Sequence, residues 1–253
     1  MTTGTPSTGR PLSPAGAPTA QARNSAAFWA ATGRSRGHEV IRRRGFLAVD
    51  GDECAGLRVL IQEPDLDPAE LAEVSELVRG AKGTAYVEDP FGSADLNHLG
   101  LRNWQMPIML RLPGPVAVPA LDVVRVRRAE DLQAAERVVI EGFDLDGFQP
   151  HRPGELFPPA LIEQPGVDVF LVSLDGVAAG ACVSVVADGV GSHYWVATSS
   201  AFRSRGMGRA VMLGALAHLA DLPATLTASK LGRPLYESLG YTVATPSTWW
   251  ASS

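Results

Sequence analysis

Repeated proline near the middle is the feature that most limits how this chain can fold. Residues 113–119 read PGPVAVP. Proline lacks a backbone N–H and fixes φ, so neither a helix nor an interior strand can run through this segment. The chain has 253 residues, enough for one large domain or two modest ones. We therefore expect two domains, at 23–112 and 121–253, joined by a linker at 113–120 and preceded by a disordered tail at 1–22.

Composition and charge argue against several classes of binding partner for this chain. Hydrophobic residues make up 45% and charged residues 19%, which is typical of a globular protein with a real core. The net charge of -5 gives no overall attraction to nucleic acid or to anionic membranes. Cys54 and Cys182 have no metal-ligand spacing, so we expect neither a disulfide nor a metal site. Without an apolar run of roughly 18 to 20 residues or a signal-like start, the sequence predicts a cytoplasmic protein.

Periodicity predicts a mixed order of helices and strands before the linker. Asp67 is a candidate N-cap for the helix that follows Pro68, and Asp50-Gly51 is typical of a hairpin turn. The elements predicted here are a helix at 24–33, hairpin strands at 46–49 and 57–61, a helix at 68–79, a strand at 84–87, a short helix at 93–98 and a strand at 104–110.

A second series of elements follows the linker. Asp175-Gly176 predicts the clearest hairpin of the chain, and proline and aromatic residues at 141–165 favour broken helical turns and a loop. The elements predicted here are strands at 123–126, 167–174, 177–186, 194–198, 225–228, 241–243 and 248–250, and helices at 129–140, 206–219 and 233–239.

The segment RSRGMGR at 203–209 lies between a predicted strand and a predicted helix. Glycine at two alternate positions lets backbone N–H groups approach an anion, and the positive end of a helix dipole favours phosphate. The spacing matches neither the P-loop nor the dinucleotide fingerprint. The pattern therefore points to another phosphate-bearing ligand.

This segment resembles the R/Q-x-x-G-x-G/A signature of the GNAT acetyltransferase superfamily, as Arg203, Gly206 and Gly208. A second segment, LYESLGY at 235–241, is similar to the family's L-Y-x-x-x-G-F/Y segment. The resemblance covers about 121–250 and extends to the order of elements. It implies an α+β fold of two GNAT-like domains, each a mixed, mostly antiparallel twisted sheet flanked by helices, of which the N-terminal one is truncated and degenerate.

The resemblance also implies a site for acetyl-CoA as co-substrate. Tyr236 would be the general acid that protonates the departing thiolate, and the backbone of Trp195 and Val196 would pair with the pantetheine arm in a wedge between two splayed strands. Ser229 stands where the family often has Asn. The cofactor-binding residues implied are Trp195, Val196, Arg203, Ser204, Arg205, Gly206, Met207, Gly208, Arg209, Ser229 and Tyr236.

A general base must accept the proton of the amine, often through water. The candidates are Glu141, Asp144, Asp146 and His193, and spacing singles out none of them. Glu141 ends a predicted helix where GNAT proteins place substrate-facing residues, and His193 precedes the central strand. We carry Glu141 and His193 forward as candidate catalytic residues.

The first half looks like a degraded copy of the second. Leu96 aligns with Tyr236, and residues 63–68 place three carboxylates and two prolines where the second half has its glycine loop. Carboxylates repel pyrophosphate and proline lacks the N–H that such a site needs. We expect the first half to bind no CoA and to form one wall of the acceptor pocket.

The function these patterns predict is transfer of an acetyl group from acetyl-CoA to a primary amine of a small molecule, by direct attack in a ternary complex. Protein amines, either N-terminal or lysine, are the alternative acceptors. A CoA-binding sensor or scaffold without turnover is the rival from another class. We expect no nucleic-acid or membrane partner, and a monomer or homodimer.

Overall fold

The computed structural model describes residues 12–252, which form one continuous sheet of eleven strands with helices on both faces. Nearly all neighbouring strands are antiparallel, and the pairs β3–β4 and β9–β10 are parallel. This confirms the predicted α+β class with a mixed, mostly antiparallel sheet. Within these residues no helix is long and apolar enough to cross a membrane.

The described residues contain five α-helices. They are α1 (Ala17–Arg36), α2 (Pro68–Gly80), α3 (Ala129–Gly142), α4 (Met207–Ala217) and α5 (Arg233–Ser238). The strands are β1 (Glu39–Arg42), β2 (Phe46–Asp50), β3 (Leu57–Ile61), β4 (Ala85–Asp89), β5 (Arg102–Arg111), β6 (Val123–Arg125), β7 (Val167–Leu174), β8 (Val177–Ala187), β9 (Val190–Thr198), β10 (Ala224–Thr227) and β11 (Thr242–Ala251). Short 3-10 turns lie at Pro14–Gly16, Asn97–Leu99, Asp146–Phe148, Pro159–Leu161 and Ser200–Phe202.

Helix α2 forms where the sequence predicts it. The Asp67 carboxylate accepts hydrogen bonds from the backbone N–H groups of Ala69 and Glu70, both at 2.9 Å. Such a cap stabilises a helix by about 0.5–2 kcal/mol. Val74 and Val78 then share the face that packs on the strands of the first half.

Helix α1 departs from the sequence prediction. It runs over Ala17–Arg36 rather than 24–33, with proline in its first turn and Gly37 ending it at φ 74. The predicted disordered tail is therefore wrong for residues 17–22, which are helical, while residues 1–11 of that tail lie outside the described part of the chain. Alanine-rich residues form this helix without a marked apolar stripe, so periodicity gives no signal for its ends.

The last strand of each half crosses into the other half of the sheet. The two strands expected at 241–243 and 248–250 are one strand, β11, with a register shift between Val243 and Thr245. Strand β11 lies between β4 and β5, and β5 lies between β11 and β10. The core is therefore continuous across both halves, and the domain boundaries at 112 and 121 stay a prediction.

The strand order has an approximate twofold repeat about the β11–β5 pair. Read outward from that pair, β4, β3, β2 and β1 correspond to β10, β9, β8 and β7. The units β3–α2–β4 and β9–α4–β10 therefore correspond. Helices α1 and α3 pack on one face of the sheet, and α2, α4 and α5 pack on the other.

Candidate active site

The strands β9 and β10 separate to form a wedge. They are parallel and paired only at Gly191 with Ala224 and at Ser192 with Thr225. Strand β10 stays paired to β5 along its whole length. The carboxyl ends of β9 and β10 therefore diverge, as the family resemblance predicts for a wedge that holds a pantetheine arm.

A β-bulge lines one wall of this wedge. The register between β8 and β9 shifts between Ala181 and Val183, so that Cys182 alone lies opposite both Trp195 and Val196. Trp195 has a φ of 51, a left-handed conformation that few bulky residues adopt. A bulge frees backbone groups from the ladder and changes their direction. The two residues predicted for backbone contacts with the cofactor are therefore those that leave the β8–β9 ladder.

The predicted phosphate loop connects β9 to an uncapped helix. Gly206 has a φ of 82 and α4 begins at Met207, with no side chain capping the helix. A Cβ atom at Gly206 would meet nothing within 4 Å, so the backbone conformation and not lack of space requires glycine here. The first backbone bond into the helix runs from the Ala210 N–H to the Gly206 carbonyl. The N–H groups of the first turn before Ala210 have no intrahelical acceptor.

Positive charge surrounds these N–H groups. Arg203, Arg205 and Arg209 are all exposed, and Ser204 between them has a φ of 61. Arg209 Nη1 also donates to Ser238 Oγ at 2.9 Å, which links α4 to α5. The loop, the helix dipole and the guanidinium groups together favour an anion with several oxygens.

Tyr236 lies in α5 between the wedge and the core. Its ring packs beside Gly232, where an added Cβ atom would lie 2.9 Å from Tyr236 Cε2, and its centroid is 6.1 Å from that of Tyr241. Burial raises the pKa of the Tyr236 phenol, and the Cys182 thiol opposite the bulge raises it further. The phenol therefore keeps its proton at neutral pH, as a general acid must.

Ser229 takes a local structural role. Its hydroxyl accepts a hydrogen bond from the Gly232 N–H at 3.1 Å, and its carbonyl accepts one from the Arg233 N–H. These bonds form the turn that starts α5. The side chain is exposed beside the wedge, and its hydroxyl lone pairs are partly used by the turn.

Of the base candidates, Glu141 contacts the residue that follows β9. It is exposed at the end of α3, and Ser199, just after β9, donates to its Oε2 at 3.4 Å. The adjacent Gly142 lets α3 approach β9, since a Cβ atom there would lie 2.9 Å from Ala197 Cβ. Asp144 and Asp146 are exposed in the following turn.

His193 is placed differently from the other base candidates. Its Nδ1 lies 2.8 Å from Ser184 Oγ, and among the described residues no group hydrogen-bonds its buried Nε2. Burial lowers its pKa to about 3, with a further contribution from Arg111. A fully buried imidazole that resists protonation is a poor general base.

Side chains that the sequence reasoning missed complete the surroundings of the wedge. Trp29 of α1 and Phe143 after α3 both pack edge-on against Trp195, at centroid distances of 6.0 and 5.1 Å. No motif marks them, because they come from elements distant in sequence. They close the α1 face of the wedge with aromatic rings.

The corresponding region of the first half has no wedge. Strands β3 and β4 pair at four consecutive positions, from Leu57 with Ala85 to Leu60 with Glu88. Helix α2 is capped by Asp67, whose carboxylate occupies the N–H groups that an anion would need. That this half binds no CoA stays a prediction.

Comparison with solved structures identifies the fold. The chain is similar to a GCN5-related N-acetyltransferase from Kribbella flavida, with 20% identity over 89% of this chain and 95% of that one and a TM-score of 0.57. It is also similar to a GNAT-family protein described as a putative acetyltransferase from Novosphingobium aromaticivorans (18% identity, 84% and 89% covered, TM-score 0.56). A tandem GNAT protein from the clavulanic acid biosynthesis pathway matches at 15% identity, 84% and 81% coverage and a TM-score of 0.53.

These likenesses show that the chain has the GNAT fold. No protein-family model matches the sequence, and the comparison with curated proteins gave no match.

Proposed function

We propose that this protein is an acetyl-CoA-dependent N-acetyltransferase that acetylates a primary amine of a small molecule in a ternary complex. One observation carries the proposal: the bulged end of β9, the opening beside β10 and the uncapped glycine start of α4 occur together. The GNAT fold of the solved relatives supports the same reaction class.

The residues around the wedge suit acetyl-CoA. Backbone N–H groups of residues 206–209 and the exposed guanidinium groups would hold the pyrophosphate. The backbone of Trp195 and Val196 would pair with the pantetheine amides. When bound, acetyl-CoA supplies an acetyl thioester as the acyl donor. Ser229 would contribute only a weak contact, since its hydroxyl already serves the turn before α5.

Three groups of this chain would serve the transfer. A backbone N–H of the bulge would stabilise the negative charge that develops on the carbonyl oxygen. Glu141, directly or through water, would accept the proton that the amine loses. Tyr236 would give its phenolic proton to the sulfur as the carbon–sulfur bond breaks and the new carbon–nitrogen bond forms. No enzyme nucleophile is required, and His193 has no proton-transfer role in this scheme.

Mixing the full chain with acetyl-CoA and a panel of primary amines, while following thiol release, tests the proposal. Amine-dependent release of one thiol per acetylated product supports it. Tight binding of acetyl-CoA without thiol release from any amine or from lysine-containing peptides would instead identify a CoA sensor or scaffold. We expect this activity in a cytoplasmic monomer or homodimer without nucleic-acid or membrane partners.

A further inference from the structure

An aromatic surface borders the open end of the wedge on the α1 face. Strand β5 runs antiparallel to β10, so its first residues lie at the end where β10 leaves β9. Strand β11 runs antiparallel to β5 and places Trp249 opposite Trp104. Both indoles therefore lie at the end of the sheet where the acetyl group would be presented.

A second group of rings lies at the bulge, and Arg58 lies between the two groups. Trp249 and Trp104 have centroids 6.3 Å apart, and at the other end Trp29 and Phe143 flank Trp195. We call these five side chains the aromatic strip. Four of the five tryptophans of the chain belong to it, all of them partly exposed. The fifth, Trp250, is buried in the core on the opposite face.

Two guanidinium groups set the charge of the strip. Arg58 Cζ lies 4.1 Å from the Trp29 ring centre and 5.7 Å from that of Trp249, and Arg58 Nη1 donates to Glu88 Oε1 at 3.2 Å. Arg102 Cζ lies 5.2 Å above Trp104. Cation–π positions on Trp29, Trp104 and Trp249 are therefore already taken within the protein. A polyamine or lysine-rich peptide would compete with these guanidinium groups for the rings, whereas a flat ring can pack against the remaining aromatic faces and edges.

From this placement we propose that the acceptor is an arylalkyl primary amine, whose ring packs on the aromatic strip while its amino group faces the bulge of β9. The inference rests on the proposed acetyl transfer and adds its substrate class. The half without a CoA site then has a function: through Trp104 and Arg58, with Trp249 on the exchanged strand, it selects the acceptor.

Two amines of equal carbon number test the substrate class. We expect kcat/KM for 2-phenylethylamine to exceed that for 2-cyclohexylethylamine about tenfold, a factor equal to about 1.4 kcal/mol and within the range of aromatic pair interactions. Trp104→Leu should reduce the ratio to about one, with an unchanged KM for acetyl-CoA. Val118→Ala removes an exposed apolar side chain in the linker and should leave the ratio intact.

A binding measurement tests the proposed acceptor class independently of acetyl transfer. With CoA present, 2-phenylethylamine should quench tryptophan fluorescence with a Kd at least several-fold lower than that of 2-cyclohexylethylamine, even if turnover is absent. Acetyl transfer with a ratio at or below one would overturn the aromatic acceptor and leave the acetyltransferase proposal standing. Equal or absent binding of the two amines would also overturn it. Failure of acetyl-CoA to bind would refute the proposed function itself.

Discussion

The units β9–α4–β10 and β3–α2–β4 have the same topology, and three local differences separate them. Strand β9 bulges at Trp195 and leaves β10 after two paired positions, whereas β3 stays paired with β4 over four. Helix α4 starts at a left-handed glycine without a cap, whereas Asp67 caps α2. A few residues thus decide whether this topology is open, as at the proposed cofactor site, or closed.

The two units also differ at a matched buried position, because the side chain there is apolar in the closed unit and polar in the open one. Matching the first parallel pairs of the two units, Leu57 with Ala85 and Gly191 with Ala224, places Val59 at the position of His193. Val59 is a core residue of the first half, while His193 and Tyr241 keep polar atoms unpartnered among the described residues under the wedge. At this matched position the open unit has an unpartnered polar group that costs stability, whereas the closed unit has an apolar side chain.

The largest effect is expected from separating the halves. A fragment of residues 121–253 lacks β5, which lies between β10 and β11, so both strands lose a partner. We expect the fragment to aggregate or dimerise and not to bind acetyl-CoA, by size-exclusion chromatography and calorimetry. A folded, monomeric fragment that binds acetyl-CoA would show that the exchange of strands is dispensable.

Removing the phenol of Tyr236 should affect the chemical step. Tyr236→Phe should lower kcat by about 10²-fold to 10⁴-fold, since it removes a general acid, and should leave KM for acetyl-CoA within about twofold. Tyr241→Phe is the matched control, because it removes a neighbouring buried hydroxyl that has no hydrogen-bond partner among the described residues. Its kcat should stay unchanged. Equal losses in both variants would argue against the acid role.

Much of the architecture can be predicted from the sequence, and the exceptions have identifiable causes. The hairpin at Asp175-Gly176, the capped α2 and the loop before α4 carry strong local signals, and the structure contains all three. Strand β1 was missed because charged residues flank its two central apolar residues. The exchange of β5 and β11 was missed because periodicity identifies a strand but not its partner.

The candidate site likewise combines residues that sequence motifs identify with residues that only tertiary packing brings there. Arg203, Gly206, Gly208 and Tyr236 follow from spacing and resemblance. The burial of His193 and the approach of Trp29 depend on how distant elements pack, and nothing near either residue in the sequence indicates it. The left-handed conformation of Trp195 is set by the bulge, because tryptophan itself has no preference for positive φ.

The buried His193 gives a pH dependence that the matching valine of the other half, Val59, lacks. Its pKa falls from 6.5 in the unfolded chain to about 3 in the fold. Between these values the unfolded state binds more protons, so the free energy of unfolding falls as the pH drops below about 6.5, by up to roughly 1.4 kcal/mol per pH unit. Urea titrations of the unmutated chain and His193→Gln from pH 8 to 4 should show a shallower slope in the variant, while His38, whose pKa burial also lowers, contributes equally to both proteins. Identical slopes would place the titrating group elsewhere.

Removal of the cap of α2 should have the smallest effect. Asp67→Ala should lower the free energy of unfolding by about 0.5–2 kcal/mol, since two N–H groups lose their acceptor. Acetyl-CoA affinity should not change, because α2 and its cap lie outside the proposed acetyl-CoA site. Thermal unfolding and calorimetry check both halves of this expectation. A change in affinity greater than about twofold would contradict the claim that acetyl-CoA binds only to the second half.

Titration of acetyl-CoA into the unmutated chain, Gly206→Glu and Gly189→Glu most directly tests the claim that the second half holds the only CoA site within residues 12–252. Both glycines have a positive φ and open space around the missing side chain, so backbone strain and added charge are matched. The account predicts one-to-one binding by the unmutated chain and by Gly189→Glu, and a loss of at least about 100-fold in Gly206→Glu. Unchanged affinity in Gly206→Glu, or a second bound acetyl-CoA per chain, would contradict it.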